Sequence, residues 1–473
     1  MADSIATFLI VFQLFVLGYF ALINIIYLLV MVYAFRTVNS GTAASVDVDQ
    51  LGARLGDAHL RPLSVLIPAY NESATILATT QSVLRAQYPG LEVLVIDDGS
   101  TDDTLQKLIT HFDAVPVETT VRRVLEHQPV IGIWRSRSHP NLTLVRKENG
   151  GKADALNTGI EMARFPLVCT IDADSLLEPD ALLRLGQQFS YDRKLVAVGG
   201  TVRVLNGCRV KDSRITEVRA PTSVVECVQA AEYTRSFLSG RVAWHTFRSL
   251  LIISGAFGIF RKDILLAVGG YRKTVGEDMD LVVRMHRHCV DNKIPYEVGF
   301  VPEPVCWTQV PSDLRSLLGQ RNRWQRGLFD SLWHNRVMFM NPKYGVVGML
   351  GFPYFVLVEL LGPLVEFIGY AGFVFFVLMG WVSGPIAALF FTVAVLLGMG
   401  LNAAAVLIDN LILHRYPRLL DALRIALYGS LEFLGFRQLI TVERLIGTFQ
   451  VGRSRWGEIR RHALRSGDEG EKR

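Results

Sequence analysis

The sequence has few cysteines, and no two of them are closely spaced. Zinc sites and redox sites commonly contain C-x-x-C pairs, and this sequence has none. The wide spacing favours reduced thiols packed inside a cytosolic domain over metal-binding or disulfide roles. The five cysteines are Cys169, Cys208, Cys227, Cys289 and Cys306.

The chain also lacks the dense basic stripe that nucleic-acid-binding proteins carry. Its 49 Lys and Arg exceed its 44 Asp and Glu only slightly, for a net charge of +5 over 473 residues. Basic loops on the cytoplasmic side of a membrane produce such an excess. We therefore expect no nucleic-acid partner, and the sequence contains no internal repeat or low-complexity stretch.

Long apolar segments explain the positive mean hydropathy of +0.29. Residues 8–35 form an almost uninterrupted apolar run. As a helix that rises ~1.5 Å per residue, this run is long enough to cross a ~30 Å hydrocarbon core. A signal peptide would begin with basic residues, whereas Asp3 is the only charge before this run. The sequence predicts a retained transmembrane helix over residues 1–36, and Arg36 at its end places the following domain in the cytoplasm.

A second apolar region begins after residue 341. Residues 342–414 predict an interfacial helix, a transmembrane helix at about 364–381 and another at about 385–413. Residues 415–473 predict an amphipathic interfacial segment, with full membrane insertion as the alternative, followed by a basic cytoplasmic tail. Insertion is disfavoured because the segment contains residues that are costly in lipid, namely Glu432, Arg437, Glu443 and Arg444.

Between these regions, a linker at residues 37–61 precedes a globular domain at 62–341. Alternating strands and helices predict an α/β fold with a mostly parallel sheet and helices on both faces. The alternation is clearest in the segments 64–68, 73–86, 91–97 and 102–111.

Acidic residues follow several of the predicted strands. They occur in Pro68-Ala-Tyr-Asn-Glu72, in Val95-Ile-Asp-Asp-Gly-Ser100 and in Thr170-Ile-Asp-Ala-Asp-Ser175. Each ending alone is explained by a helix cap and a turn. Repeated endings, a D-x-D spacing and the segment Gly150-Gly-Lys-Ala-Asp154 together favour a divalent cation bound to a diphosphate.

This set of motifs resembles the family 2 glycosyltransferases, which bind nucleotide sugars with a GT-A fold. Within that family it is similar to the processive β-glycan synthases, which make cellulose, hyaluronan, chitin and poly-N-acetylglucosamine, and also to the non-processive glucosylceramide synthase. The downstream motifs that carry the resemblance are Gly200-Thr-Val-Arg-Val204, Ile253-Ser-Gly-Ala-Phe257, Gly276-Glu-Asp278 and Gln320-Arg-Asn-Arg-Trp324.

The resemblance implies a role for each matching residue. Asp278 would be the general base, and Asp174 would hold Mg²⁺ or Mn²⁺. The nucleotide would be contacted by Tyr70, Glu72, Asp97, Asp98, Lys152 and Asp172. The acceptor and pyrophosphate side would be lined by Ser254, Gly255, Glu277, Gln320, Arg323 and Trp324.

Two of these assignments have structural alternatives. Glu277 and Asp278 begin a predicted helix, where acidic residues are favoured whatever their function. Trp324 is also suited to anchoring the chain at a membrane surface. The family usually has threonine where this chain has Gly276, but the carboxylates carry the chemistry.

The resemblance implies an inverting enzyme that transfers a sugar from a UDP-sugar to a growing β-linked polysaccharide at a bacterial plasma membrane. Transfer to a lipid acceptor is the first alternative, and a non-catalytic sugar-nucleotide sensor is the second. The chain has fewer predicted crossings than secreting synthases use, which leaves three alternatives open: a second copy, a secretion partner, or no translocation of the product at all. No motif encodes the donor sugar.

Overall fold

The computed structural model describes residues 2–39, 60–119 and 123–451. Most of the predicted linker, residues 40–59, and the tail from residue 452 lie outside the described residues.

A ten-stranded mixed sheet forms the centre of the globular part, and a separate two-stranded hairpin lies beside it. The strands are β1 (Leu63–Ala69), β2 (Leu91–Asp97), β3 (Ala114–Pro116), β4 (Val130–Ser136), β5 (Leu142–Lys147), β6 (Leu167–Ile171), β7 (Ser175–Leu177), β8 (Leu195–Val204), β9 (Arg209–Lys211), β10 (Arg214–Glu217), β11 (Phe257–Arg261) and β12 (Glu297–Thr308). In the large sheet the order is β3-β4-β5-β2-β1-β6-β11-β8-β12-β7, and β9 pairs with β10.

Within the large sheet, all strands except β4, β7 and β11 run in the same direction. The central strands β5, β2, β1 and β6 are parallel neighbours with almost fully buried side chains. Helices cover both faces of such a sheet, so its strands are rich in Val, Leu and Ile throughout. The predicted α/β fold with a mostly parallel sheet is thus confirmed.

The helices of the globular part are α2 (Ile76–Leu84), α3 (Thr104–His111), α4 (Lys152–Met162), α5 (Ala181–Gly186), α6 (Gln188–Tyr191), α7 (Val224–Thr234), α8 (Val242–Thr246), α9 (Lys262–Ala267), α10 (Glu277–Asp291) and α11 (Leu314–His334). A π-helical turn, Arg235–Arg241, joins α7 to α8. Because β1, β2 and β6 are parallel, their carboxyl ends meet at one edge, where this kind of sheet binds ligands.

Apolar helices precede and follow the globular part. They are α1 (Ala2–Asn39), α12 (Phe352–Tyr354), α13 (Gly362–Leu378), α14 (Gly384–Phe391) and α15 (Leu397–Leu413), with π-helical turns at Val347–Gly351, Phe355–Leu360 and Thr392–Leu396. Within the described ranges, three helical runs are long and apolar enough to cross a membrane: Ile10–Arg36, Val347–Leu378 and Gly384–Leu413.

The middle run differs from the sequence prediction. The sequence predicted an interfacial helix followed by a separate transmembrane helix at about 364–381, whereas the structure has one helical run, Val347–Leu378, over this region. The run is interrupted only at Leu361, just before Pro363, which has no N–H to continue the helical hydrogen bonds.

Two C-terminal helices, α16 (Leu419–Ser430) and α17 (Phe436–Phe449), pack against α7 and α11 respectively. Arg437 lies 2.5 Å from Glu366 of α13, and Glu432 lies 3.5 Å from Arg235. These charges are therefore paired within the protein. The two helices and the connection between them expose a set of apolar side chains, namely Leu419, Leu420, Leu423, Leu427, Leu434, Leu439, Val442, Ile446 and Phe449. The interfacial position of this segment stays a prediction.

Candidate active site

A cavity of about 1440 Å³ opens at the carboxyl edge of β1, β2 and β6. Strand ends, the start of α10 and one face of α11 form its walls. The cavity is lined by every residue that the sequence assigned to the site except Asp97, namely Tyr70, Glu72, Asp98, Lys152, Asp172, Asp174, Ser254, Gly255, Glu277, Asp278, Gln320, Arg323 and Trp324.

Tyr70 and Glu72 follow β1 and differ in exposure. The Tyr70 side chain is 48% exposed, which leaves its ring accessible to a ligand. Glu72 is buried, and its carboxylate accepts a hydrogen bond of 3.1 Å from the Thr75 hydroxyl. The predicted nucleotide contact is therefore easier to make for Tyr70 than for Glu72.

The Asp98 carboxylate organises the glycine loop beside it. It accepts hydrogen bonds from the Lys147 ammonium at 2.6 Å and from the N–H groups of Gly150 at 3.1 Å and Gly151 at 2.7 Å. Lys147 is fully buried and was not singled out from the sequence, because the end of β5 has no recognisable motif. Burial raises the pKa of Asp98, an effect that the Lys147 charge opposes.

Asp97 is buried outside the cavity lining, and its Oδ1 accepts a hydrogen bond of 3.3 Å from the Ser100 N–H. Burial raises the pKa of this carboxyl as well. The uridine contacts expected of Asp97 and Asp98 stay predictions.

Lys152 connects the donor end of the cavity with the proposed base. It is the first residue of α4, and its ammonium lies 2.5 Å from Asp172 and 3.6 Å from Glu277. Burial acts to lower the pKa of Lys152, but the carboxylates of Asp172 and Glu277 raise it on balance. The cavity thus contains an ammonium group that stays protonated at neutral pH and can face a diphosphate.

Asp174 is the buried member of the D-x-D pair. Thr308 at the end of β12 donates a 3.1 Å hydrogen bond to its Oδ1. Burial, followed by the charge of Asp172, raises the pKa of Asp174 to about 7. A bound divalent cation would stabilise the ionised form of this carboxylate.

The donor set fits a cation shared with a substrate. Among the described residues, no cluster of three or more His, Cys, Asp or Glu is arranged to hold a metal. Mg²⁺ is commonly bound by one or two carboxylates together with substrate phosphates. Asp174, with Asp172 beside it, suits that arrangement.

Two backbone N–H groups orient the Asp278 carboxylate. The Met279 N–H donates to Oδ1 at 2.8 Å, and the Gly255 N–H donates to Oδ2 at 3.3 Å. A Cβ at position 255 would lie 3.1 Å from the Lys152 ammonium, so glycine permits this close approach. The loop at Ser254 and Gly255 thus fixes the carboxylate at the cavity wall.

Close packing explains why position 276 is glycine. A Cβ on Gly276 would lie 2.7 Å from the Cα of Gly327 on α11, nearer than real Cβ contacts occur. The Ser331 hydroxyl also donates to the Gly276 carbonyl at 3.3 Å. The start of α10 and the middle of α11 therefore touch backbone to backbone, without room for a larger side chain at position 276.

Helix α11 presents the Q-x-x-R-W residues to the cavity. Trp324 is 43% exposed, and the guanidinium of Arg321 lies 4.0 Å from the centre of its ring. Arg321 is also paired with Glu232 of α7 at 2.5 Å. Neither Arg321 nor Glu232 was predicted, since their pairing joins elements far apart in the sequence. The indole keeps an open surface toward the cavity, suited to the C–H groups of a sugar.

The chain matches the sequence pattern of the family described as "Glycosyltransferase like family 2" over residues 59–327. The match spans more than half of the chain and contains the strand ends, α10 and most of α11. This protein belongs to that glycosyltransferase family.

Its curated relatives include poly-β-1,6-N-acetyl-D-glucosamine synthases. The chain is 30% identical to that of Staphylococcus epidermidis over 267 residues, which cover 56% of this chain and 54% of the relative. The synthase of Staphylococcus aureus is also 30% identical, over 60% of this chain and 58% of the relative. The chain thus matches these relatives over little more than half of their length.

Among solved structures, the chain resembles a mannosyltransferase from Pyrobaculum calidifontis in complex with GDP-Man and Mn²⁺. The TM-score is 0.53 at 19% identity, and the alignment covers 89% of this chain and 99% of that chain. This similarity confirms the GT-A type of fold.

Proposed function

We propose that this protein is an inverting, metal-dependent membrane glycosyltransferase that extends a β-linked polysaccharide from a UDP-sugar. The observation that carries the proposal is the oriented Asp278 carboxylate in one cavity with Lys152, Asp172 and Trp324. The names of the relatives favour UDP-N-acetylglucosamine as donor and a β-1,6-linked glycan as product.

In this mechanism, Asp278 accepts the proton of an acceptor hydroxyl while that hydroxyl attacks the anomeric carbon. Direct displacement inverts that carbon, so an α-linked donor gives a β-linkage. The side chains of Lys152 and Arg323 offset negative charge that develops on the departing diphosphate. A Mg²⁺ or Mn²⁺ ion held by Asp174 would add charge stabilisation on the diphosphate when bound.

The shape of the cavity supports processive synthesis. The cavity continues from the Asp278 region to the apolar helices, where Phe20 and Asn24 of α1 and Gly398 and Asn402 of α15 line it. A glycan end held on Trp324 can therefore extend toward the membrane helices without leaving the cavity. We propose a multi-pass protein of the bacterial plasma membrane with its catalytic domain in the cytoplasm. Because only three candidate spans occur in the described residues, we propose that a second copy or a secretion partner completes any export route.

The decisive test is UDP release by the purified protein in nanodiscs with Mn²⁺ or Mg²⁺. UDP-N-acetylglucosamine, UDP-glucose, UDP-glucuronate and UDP-galactose are supplied separately. We expect turnover with one donor, lost in Asp278→Asn and retained in Asp291→Asn at the other end of α10. No UDP release with any donor would overturn the proposal and favour a sugar-nucleotide sensor. Full activity of Asp278→Asn would also overturn it.

Transfer to a lipid acceptor is the second candidate, because apolar residues of α1 also line the cavity. Ile23, Val30 and Met31 would accommodate an acyl chain beside the site. Product extracted into organic solvent and resistant to glycanases would indicate a glycolipid. A water-soluble product of many sugars that a β-1,6-N-acetylglucosaminidase degrades would indicate a polysaccharide.

A further inference from the structure

The π-helical turn Arg235–Arg241 borders the cavity and packs against helix α1. Single π-helical turns are uncommon within helices and occur frequently at functional sites. Both Phe237 and Arg241 of this turn line the cavity. The turn therefore introduces a cation into a part of the site that the family motifs do not describe.

The Arg241 guanidinium is held in place but not neutralised. Its carbon lies 3.8 Å from the centre of the Phe237 ring, and its Nη1 donates to the Ser236 hydroxyl at 2.7 Å. Its buried Nε has no hydrogen-bond partner. Arg235 and Arg321 of the same cavity are paired with carboxylates, whereas Arg241 has no ion-pair partner within the described part of the chain.

Arg241 and Asp278 line the same cavity. Burial lowers the pKa of Arg241 to about 10, and the Asp278 carboxylate is the charge that most opposes this lowering. For Lys152, by contrast, the foremost charge is Asp172 at the donor end. Arg241 thus stays cationic at neutral pH, in the cavity that also contains the Asp278 carboxylate.

We propose that Arg241 binds the acceptor, with an Nη N–H group of its guanidinium donating to a hydroxyl oxygen of the terminal acceptor sugar. This contact turns the attacking hydroxyl toward Asp278. The Phe237 ring and the Ser236 hydroxyl fix the plane of the guanidinium, so the donor direction is set before the sugar arrives. This inference rests on the proposed function and adds a residue that recognises the acceptor.

The test compares acceptor use with donor binding in the full-length protein in nanodiscs. Transfer from UDP-N-acetylglucosamine to a β-1,6-linked N-acetylglucosamine tetrasaccharide is measured against acceptor concentration, and UDP binding is measured with Mn²⁺. For Arg241→Met we expect kcat/KM for the acceptor to fall about 10- to 100-fold, the loss typical of a hydrogen bond from a charged group, with the Kd for UDP changed less than about twofold. Arg241→Lys keeps the charge but loses the planar fork, so we expect an intermediate value.

Arg248→Met is the matched control, since Arg248 is exposed, follows the same turn and lies outside the cavity lining. We expect it to leave both quantities unchanged. Unchanged acceptor kinetics in Arg241→Met, or a parallel loss of UDP affinity, would overturn the role of Arg241. If Arg241→Met does not fold, the same comparison with Arg241→Lys decides, and acceptor kinetics equal to the unaltered protein's would overturn the proposal. No transfer by the unaltered protein would instead refute the proposed function.

Discussion

Replacing Gly276 by alanine tests whether backbone contact between α10 and α11 sets the geometry of the site. The new Cβ would lie 2.7 Å from the Gly327 Cα and 2.9 Å from its carbonyl oxygen. Ordinary contacts of this kind begin at 3.4 Å, so the two helices must separate by about 0.7 Å. The atoms in the way belong to backbone, which cannot rotate aside as a side chain would.

The size of the effect follows from that displacement. Overpacking of this kind typically costs ~1–3 kcal/mol of folding free energy. Helix α11 carries Arg323 and Trp324, and α10 carries Asp278, so the separation moves the base away from the acceptor platform. A misplacement near 1 Å costs on the order of 100-fold in rate. We expect Gly276→Ala to lose about 100-fold in rate together with ~1–3 kcal/mol of stability, which leaves the protein folded but nearly inactive.

The assay is UDP release in nanodiscs, paired with thermal unfolding of the same preparation. Gly327→Ala should reproduce the defect, because its Cβ would lie 2.6 Å from the Gly276 Cα. Gly319→Ala is the matched control on α11, with no atom within 4 Å of the added Cβ, and alanine there favours the helix by ~0.5–1 kcal/mol. Full activity and stability of Gly276→Ala would refute the reasoning.

Two further predictions concern the donor end of the site. Lys147→Met should destabilise the protein by ~3–5 kcal/mol in thermal unfolding, because it leaves the carboxylates of Asp98 and Asp154 without their buried cation. The control, Lys107→Met, breaks an exposed pair and should cost ~1 kcal/mol or less. Equal losses of stability in the two variants would contradict this account. Because the metal-free pKa of Asp174 is raised to about 7, binding of Mn²⁺ together with UDP should release a proton below pH 7 but not at pH 8. The affinity for Mn²⁺ should therefore fall about tenfold for each pH unit well below pH 7. Calorimetry in buffers of different ionisation enthalpy measures the proton, and its absence at pH 6 would contradict the assignment.

The strand ends were predictable because they depend on local pattern. The carboxylates after β1, β2 and β6 follow runs of β-branched and aliphatic residues, and parallel neighbours must bring such ends together. The same logic placed Asp278 at the start of a helix. No comparable pattern marks Arg241, because its position in the cavity depends on a π-helical turn that the composition of residues 235–241 does not encode.

The C-terminal charges show a second limit of sequence reasoning. Arg437 looked costly in lipid because its partner, Glu366, lies 71 residues earlier, inside an apolar helix. Pairing over that distance is set by how α13 and α17 pack. The sequence therefore indicated that these charges avoid lipid, but not which residues neutralise them.

The buried pair between Arg203 of β8 and Asp409 of α15 bears on how the protein can be re-engineered. The two side chains lie 2.5 Å apart, and each is only 2% exposed. Arg203 also donates to the Thr234 hydroxyl at 2.8 Å, which links α7 to the same pair. A chimera that replaces residues 62–341 by those of a homologue without arginine at the position of Arg203, while keeping the native C-terminal helices, would leave Asp409 buried without its partner. Domain exchange in this protein therefore has to carry Asp409 along with Arg203, so the transplantable unit extends from the sheet into the membrane helices.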